Sequence, residues 1–198
     1  MPTIRLTVLG DSFVEGRGDP APGGGYRGWV PAFAAHVGLP PAAVRNLGTY
    51  QATTQDVVDR QLPKALAGKP PLLGVIVGVN DLVQAWDPAR LRRNLHTIFS
   101  SLGGMDTTVF TASYPDIPAN LPVPEGFRRL LRGRFAEANA ALAEVTTATG
   151  TLCLDIAGQP EWARRAMWSA DGLHPSPLGH RRFAESMADQ VSTSAIAA

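Results

Sequence analysis

The sequence predicts an α/β protein built around a five-stranded parallel sheet. Five short aliphatic or β-branched segments alternate with segments in which apolar residues recur at helical spacing. This alternation is typical of a parallel sheet covered by helices on both faces. Functional residues are then expected at the carboxyl ends of the strands, where the loops of such a sheet meet.

The strands are recognised as short apolar segments with clear ends. The third is preceded by Pro70 and Pro71 and closed by Gly78, and its uninterrupted apolar character predicts a buried central strand. The five predicted strands are Ile4–Leu9, Val44–Leu47, Leu72–Val77, Thr107–Ala112 and Thr151–Leu154.

Helical patterns fill the intervals between the strands and follow the last one. The predicted helices are Trp29–Val37, Thr54–Leu66, Pro88–Leu102, Phe127–Thr149 and Leu178–Val191. Two further stretches, Gly16–Gly28 and Tyr114–Gly126, are rich in glycine or proline, so we predict irregular loops on the functional side of the sheet. No linker or repeat divides the sequence, and we expect one domain over residues 1–198.

Composition excludes several classes of function. With 44% hydrophobic and 18% charged residues, the chain has the composition of a soluble globular protein. A net charge of +1 gives no overall attraction to nucleic acid, so no nucleic-acid partner is expected. No apolar run approaches the roughly 20 residues of a membrane span. The N-terminus lacks a secretory leader pattern, which favours a cytoplasmic location, with secretion of a processed form as the alternative.

Ser12 is the candidate nucleophile. It follows the first predicted strand in the segment Gly10-Asp11-Ser12-Phe13, where a tight turn would lift the hydroxyl towards the end of the sheet. The N–H groups of a helical turn after Ser12 would point to the same place. The alternative is that Ser12 only caps that helix.

His174 is the candidate base for this serine. In Asp171-Gly172-Leu173-His174-Pro175 a carboxylate precedes the histidine by three residues, and Gly172 favours a turn between them. Asp171 could then accept a hydrogen bond from Nδ1–H and leave Nε2 free to take a serine proton. The other histidines show no metal-ligand spacing, and the single cysteine, Cys153, excludes an internal disulfide and a cysteine-based metal cluster.

Asn80 is a candidate hydrogen-bond donor at the end of the third strand. In Gly78-Val79-Asn80-Asp81 its amide could point to the mouth of the sheet and bind a developing oxyanion. The alternative is that Asn80 or Asp81 caps the segment that follows.

The order of these motifs resembles that of the SGNH, or GDSL-like, hydrolase family. Gly10–Phe13 is similar to its first block, Asn46–Thr53 to its second, Gly78–Asp81 to its third and Asp171–Pro175 to its last. The resemblance implies a three-layer α/β/α flavodoxin-like fold and hydrolysis of small-molecule acyl esters or thioesters with neither cofactor nor metal. It also implies an oxyanion hole formed by the N–H of Ser12, Asn80 and the second glycine of the second block.

The second block departs from the family pattern at that glycine, which is Gln51 in this sequence. A glutamine keeps the backbone N–H, so Gln51 is the candidate third donor, with Gly48 as a weaker alternative. If the position requires a positive φ angle, glutamine would be strained there. Its side chain could also occupy the pocket and alter what binds.

Taken together, the residues predict a serine hydrolase that forms an acyl-enzyme. Ser12 would attack, His174 would act as general base and acid, and Asp171 would orient the histidine. An acyltransferase that uses the same residues is the nearest alternative. A catalytically weak ligand-binding module is another, suggested by Gln51. The oligomeric state is not predicted by the sequence.

Overall fold

A computed structural model describes residues 3–197, and within them five parallel strands form one sheet. The strands are β1 (Leu6–Gly10), β2 (Val44–Asn46), β3 (Leu72–Ile76), β4 (Thr108–Ala112) and β5 (Leu152–Leu154). Their order is β2-β1-β3-β4-β5, that of a flavodoxin-like sheet. The direction of winding reverses between β1 and β3, and a crevice at that point is the usual ligand site of such folds.

Eight α-helices are described around this sheet. They are α1 (Ser12–Glu15), α2 (Trp29–His36), α3 (Thr54–Asp56), α4 (Leu62–Gly68), α5 (Val79–Val83), α6 (Pro88–Leu102), α7 (Glu125–Thr149) and α8 (Pro177–Ala197). Helices α2 and α8 pack on each other, and so do α6 and α7. The predicted three-layer α/β class and its five parallel strands are therefore confirmed.

An aromatic cluster joins α2 and α8 to the sheet. Trp29 of α2 meets Phe183 of α8 edge to face, with ring centroids 4.8 Å apart. The ring centroid of Phe33 of α2 lies 4.9 Å from that of Phe110 of β4. All four side chains are fully buried, and burial of aromatic surface on this scale is a major stabilising contribution.

The predicted helix Thr54–Leu66 is present, but it is not α-helical throughout. A π-helical turn, Val57–Gln61, separates α3 from α4. A π turn inserts an extra residue and so redirects the side chains around it. Gln61 is buried as a result and faces the end of β1, as described below.

The two irregular stretches were predicted correctly as loops on the functional side. In the first, Gly18 lies against His174 and Pro175. In the second, Asn120 lies against Gly172 of the segment that carries His174. None of the helices within residues 3–197 has both the length and the apolar character that a membrane span requires.

Candidate active site

The turn between β1 and α1 places Ser12 at the carboxyl end of the sheet. Gly10 has a φ angle of 153°, and a Cβ atom there would collide with the carbonyl of Ile76 on β3. Asp11 accepts a hydrogen bond from the Phe13 N–H at 2.9 Å and is the N-cap of α1. The alternative that Ser12 merely caps this helix is therefore wrong. Ser12 lies instead in the first helical turn, where N–H groups have no intrahelical acceptor.

His174 is brought to Ser12 from the other end of the chain. Its Nε2 lies 2.9 Å from Ser12 Oγ, and its Nδ1 lies 2.7 Å from Asp171 Oδ2. With Nδ1–H donating to Asp171, Nε2 is the acceptor for the serine hydroxyl. The structure thus places the three predicted residues in one hydrogen-bonded chain, although 162 positions separate Ser12 from His174.

Asp171 remains ionised in spite of its partial burial. Burial acts to raise its pKa, but hydrogen bonds from the His174 side chain and backbone, from Ser169 and from Leu173 outweigh that effect. The net result is a pKa well below the usual range of an aspartate. A carboxylate that stays negative can hold the histidine in one tautomer and stabilise its protonated form.

Asn80 lies in α5, one turn from the end of β3, and lines the same cavity as Ser12 and His174. It is neither the cap of this helix, whose N-cap is Gly78, nor exposed to solvent. Its Nδ2 donates to the Ala52 carbonyl at 2.9 Å. An amide nitrogen carries two hydrogens, so a second N–H remains for an oxyanion.

The Gly48 N–H and the Gln51 side chain do not lie where the sequence predicted them, whereas the Gln51 N–H stays a predicted oxyanion donor. Gly48 donates its N–H to Asn46 Oδ1 at 2.8 Å, which removes it from the set of oxyanion donors. Gln51 has a φ angle of 60°, so the position does require the left-handed region. Gln51 lines a polar depression with Asp56, Arg60 and Lys64, and does not line the cavity beside Ser12. The expectation that its side chain could occupy the catalytic pocket is therefore wrong.

A buried polar network holds the loop that carries Gln51. Asp81 accepts hydrogen bonds from the Thr54 N–H at 2.8 Å and from the Thr54 hydroxyl at 2.6 Å. Asn94 of α6 donates to the same hydroxyl at 3.1 Å. Because Asn80 adjoins Asp81 and Ala52 precedes Thr54 by two residues, this network fixes the loop against α5.

Gln61 holds the strand end immediately before the nucleophile. Its Oε1 accepts from the Gly10 N–H at 2.8 Å, and its Nε2 donates to the Gly10 carbonyl at 2.9 Å. The β1–β2 pairing ends at Val8 and Asn46, so the side-chain amide supplies the acceptor for the Gly10 N–H and shares the Gly10 carbonyl with the Thr49 N–H. Gln61, Thr54 and Asn94 were not predicted from the sequence. The Thr53–Asp56 capping box is the one local signal that marked this region.

Asp11 and His180 are buried ionisable groups beside the site. Burial raises the pKa of Asp11 to about 7, opposed by the Phe13 N–H and reinforced by the nearby Asp81. Burial lowers the pKa of His180 to about 4, opposed by its hydrogen bond to the Arg17 carbonyl at 2.7 Å. Both groups are therefore biased towards their neutral forms. His180 packs against Phe13, with ring centroids 5.1 Å apart, as a core residue.

An apolar cavity of about 60 Å³ adjoins Ser12 and His174. It extends from Ser12 and His174 towards side chains that follow β3, β4 and β5, and two tryptophans, Trp162 and Trp168, contribute to its wall. A reacting acyl group could be placed against Ser12 while the rest of it is shielded from water.

Comparisons with known proteins find solved structures of the same fold. Among solved structures, the chain is similar to LAE5, an alpha/beta hydrolase enzyme from the metagenome of Lake Arreo, with a TM-score of 0.74, 18% identity and 94% of each chain covered. It is similar to a lipase/acylhydrolase from Enterococcus faecalis, with a TM-score of 0.72, 22% identity and 96% of each chain covered. A third is Axe2, an acetylxylan esterase from Geobacillus stearothermophilus, with a TM-score of 0.67, 19% identity and coverage of 94% of this chain and 93% of that one.

At these identities the three structures establish the fold alone. A search of curated proteins found no match to the sequence. The model of the GDSL-like lipase/acylhydrolase family, in contrast, matches residues 8–182, which include both ends of the candidate active site. The chain belongs to the GDSL-like lipase/acylhydrolase family.

Proposed function

We propose that this protein is an SGNH-type serine esterase that hydrolyses small-molecule carboxylic esters through an acyl-enzyme on Ser12. Family membership supports ester hydrolysis in general terms. The observation that carries the specific mechanism is the hydrogen-bonded chain from Asp171 through His174 to Ser12 Oγ, with distances of 2.7 and 2.9 Å. This is the arrangement that activates a serine for nucleophilic attack.

In the first half of the reaction, Ser12 Oγ attacks the ester carbonyl and passes its proton to His174 Nε2. The bond between Oγ and the carbonyl carbon forms, and the bond to the alcohol oxygen then breaks. The departing alcohol takes the proton from Nε2. Asp171 stabilises the imidazolium that exists between these proton transfers.

In the second half, water replaces the alcohol. His174 takes a proton from the water, whose oxygen bonds to the acyl carbon while the bond to Ser12 Oγ breaks. The proton returns to Oγ, and the carboxylic acid leaves. The enzyme is thereby restored without any cofactor.

The negative oxygen of each tetrahedral intermediate requires hydrogen-bond donors. We assign this role to the Ser12 N–H and to the free N–H of the Asn80 amide. The Gln51 N–H is the third candidate, because its φ angle of 60° is that of a glycine and the adjoining Ala52 is bonded to Asn80, although the Gln51 side chain lines the neighbouring depression.

The direct test is covalent trapping at Ser12. Wild type and Ser12→Ala would each be incubated with a fluorophosphonate and with p-nitrophenyl acetate, and the intact mass and the hydrolysis rate would be measured. We expect one phosphonyl group per wild-type chain, none on Ser12→Ala, and loss of nearly all turnover in the variant. Labelling of another residue, or substantial turnover by a folded Ser12→Ala variant, would refute the mechanism. Trapping without turnover would favour the ligand-binding alternative.

A further inference from the structure

The cavity beside Ser12 is apolar well beyond the reacting groups. Side chains from the ends of β3 and β4 and from the segments after β5 form its wall. Among them are Ile76, Ala112, Ile117, Ile156, Trp162 and Trp168. Neither lysine nor arginine occurs among the described residues that line it. A charged acyl group would therefore lose its hydration there without gaining an ion pair.

The polar side chains in the wall, other than the proposed catalytic groups, are already hydrogen-bonded. The Tyr114 hydroxyl donates to the Val77 carbonyl at 2.7 Å. Ser113 Oγ donates to Asp155 and accepts from the Ala157 N–H, each at 2.9 Å. Asp11 accepts from the Phe13 N–H. Hydroxyl or amide groups on a bound acyl chain would compete with these bonds, so a plain hydrocarbon chain fits best.

The two tryptophans form a rigid part of the wall. Their rings meet edge to face, 5.7 Å apart at 68°. The Trp168 Nε1–H donates to the Trp162 carbonyl at 2.9 Å, which fixes the Trp168 ring relative to the Trp162 backbone. Both residues are only 4% exposed. A wall that is packed and hydrogen-bonded in this way resists expansion when a longer chain enters.

The size of the cavity limits the acyl group. A volume of about 60 Å³ compares with roughly 150 Å³ for an engineered cavity that binds benzene. Only a few carbon atoms fit in addition to the reacting carbonyl.

We propose that the site is selective for short, unsubstituted acyl groups of about two to four carbons and that Trp162 limits their length. This inference rests on the proposed function, since it concerns the acyl group that Ser12 would carry. The acyl group stays on Ser12 after the alcohol leaves, and it occupies the apolar cavity that Ser12 lines. The alcohol and the incoming water use the side of His174, where the Asp171 side chain is 51% exposed.

The test is a panel of p-nitrophenyl esters from acetate to dodecanoate, assayed as kcat/KM with wild type, Trp162→Leu and Ala112→Val. The leucine at position 162 removes the ring but keeps the carbonyl that accepts from Trp168. Ala112→Val adds volume at a buried wall position of β4, where a β-branched residue suits the strand. Trp86→Leu is the matched control, because Trp86 lies against Arg134 and outside the cavity wall.

We expect wild type to prefer acetate to butyrate and to lose at least about tenfold in kcat/KM at octanoate, within the range that steric misfit produces in apolar pockets. Trp162→Leu should move the optimum to longer chains, Ala112→Val should lower activity on butyrate more than on acetate, and Trp86→Leu should leave the preference unchanged. Acetyl esters of alcohols of increasing length should show a much weaker trend.

Each contrary outcome has a distinct meaning. Faster hydrolysis of octanoate than of acetate by wild type, or a length preference that follows the alcohol, would overturn the acyl-pocket inference alone. An unchanged profile in both folded cavity variants would overturn the role of Trp162. Absence of hydrolysis across the whole panel, with no trapping at Ser12, would instead refute the proposed function.

Discussion

The candidate site has two sides that are held by different kinds of contact. On the side of the base, Asp171 is bonded to Ser169, Leu173 and His174, all within three positions in sequence. On the side of the nucleophile, the contacts span the chain: Gln61 to Gly10 across 51 positions and Asp81 to Thr54 across 27. The proposed base, His174, is positioned by a local motif, whereas the proposed nucleophile and oxyanion donors are positioned by contacts between distant parts of the chain.

Because of this difference, we expect substitutions on one side to change mainly activity and substitutions on the other to change mainly stability. The base-side carboxylate is half exposed, so a change there should alter proton transfer with little effect on folding. The nucleophile-side groups are buried, and their loss leaves unpaired polar atoms in the core. Substitutions on the two sides should therefore affect different measurements.

The largest effect is expected from Asp171→Asn. The variant keeps the shape of the side chain but removes the negative charge that fixes the tautomer of His174, and we expect kcat to fall by about 10⁴-fold. The melting temperature should fall only slightly, because an asparagine oxygen can still accept from the Leu173 and His174 N–H groups. Steady-state kinetics and thermal unfolding would be measured on the same preparation. A fall in kcat of less than tenfold would remove Asp171 from the mechanism.

Gln61→Leu should mainly affect stability. It leaves the buried N–H of Gly10 without its partner, whereas the Gly10 carbonyl keeps its hydrogen bond from the Thr49 N–H. We expect the free energy of unfolding, measured by urea denaturation, to fall by about 1–3 kcal/mol, the cost of one unsatisfied buried group. Because Gly10 adjoins Asp11 and Ser12, kcat should also fall while KM changes little. A variant as stable as wild type would show that the hydrogen bonds of the Gln61 side-chain amide contribute nothing to the stability of the fold.

Asp11→Asn should change how stability depends on pH. The pKa of Asp11 is raised from 3.8 to about 7, so between these values the folded protein holds a proton that the unfolded chain has released. Rising pH therefore lowers the free energy of unfolding by up to about 1.4 kcal/mol per pH unit. The stabilisation that protonated Asp11 gives the fold is lost by the time the pH passes about 7.

Asparagine mimics the neutral carboxyl and cannot titrate. The stability of wild type relative to Asp11→Asn should thus decline from pH 4 to 7, as measured by denaturation at each pH. The comparison with the variant is essential because His180, whose pKa is lowered to about 4, acts in the opposite direction over much of this range. A constant difference between the two proteins would show that Asp11 is ionised in the folded state.

Gln51→Gly is expected to have the smallest effect. Glycine relieves the strain of a φ angle of 60° but increases the freedom of the unfolded chain, so stability should change by less than about 1 kcal/mol. If Gln51 supplies only its N–H, activity on small esters should be kept or raised. A collapse of kcat in the folded variant would mean that the glutamine side chain takes part.

The same contrast explains what could be predicted from the sequence. The Asp171–His174 spacing and the strand-end position of Ser12 are visible locally, and both were recognised. The strand and helix pattern predicted the α/β class, which the structure confirms. The π turn and Gln61 could not be predicted, because they depend on contacts with a strand 51 positions away. Gly48 was misjudged for a different reason: its N–H is taken by the Asn46 side chain only two positions away, a local turn of the kind that asparagine favours.

The central claim, that Ser12 and His174 act as one unit, is tested most directly by a double-mutant cycle. The value of kcat/KM for p-nitrophenyl acetate would be measured for wild type, Ser12→Ala, His174→Ala and the double variant. Residues that work together in one step show strongly non-additive losses. We predict that each single variant loses nearly as much activity as the double variant. Losses that multiply, with the double variant far below either single one, would contradict the account.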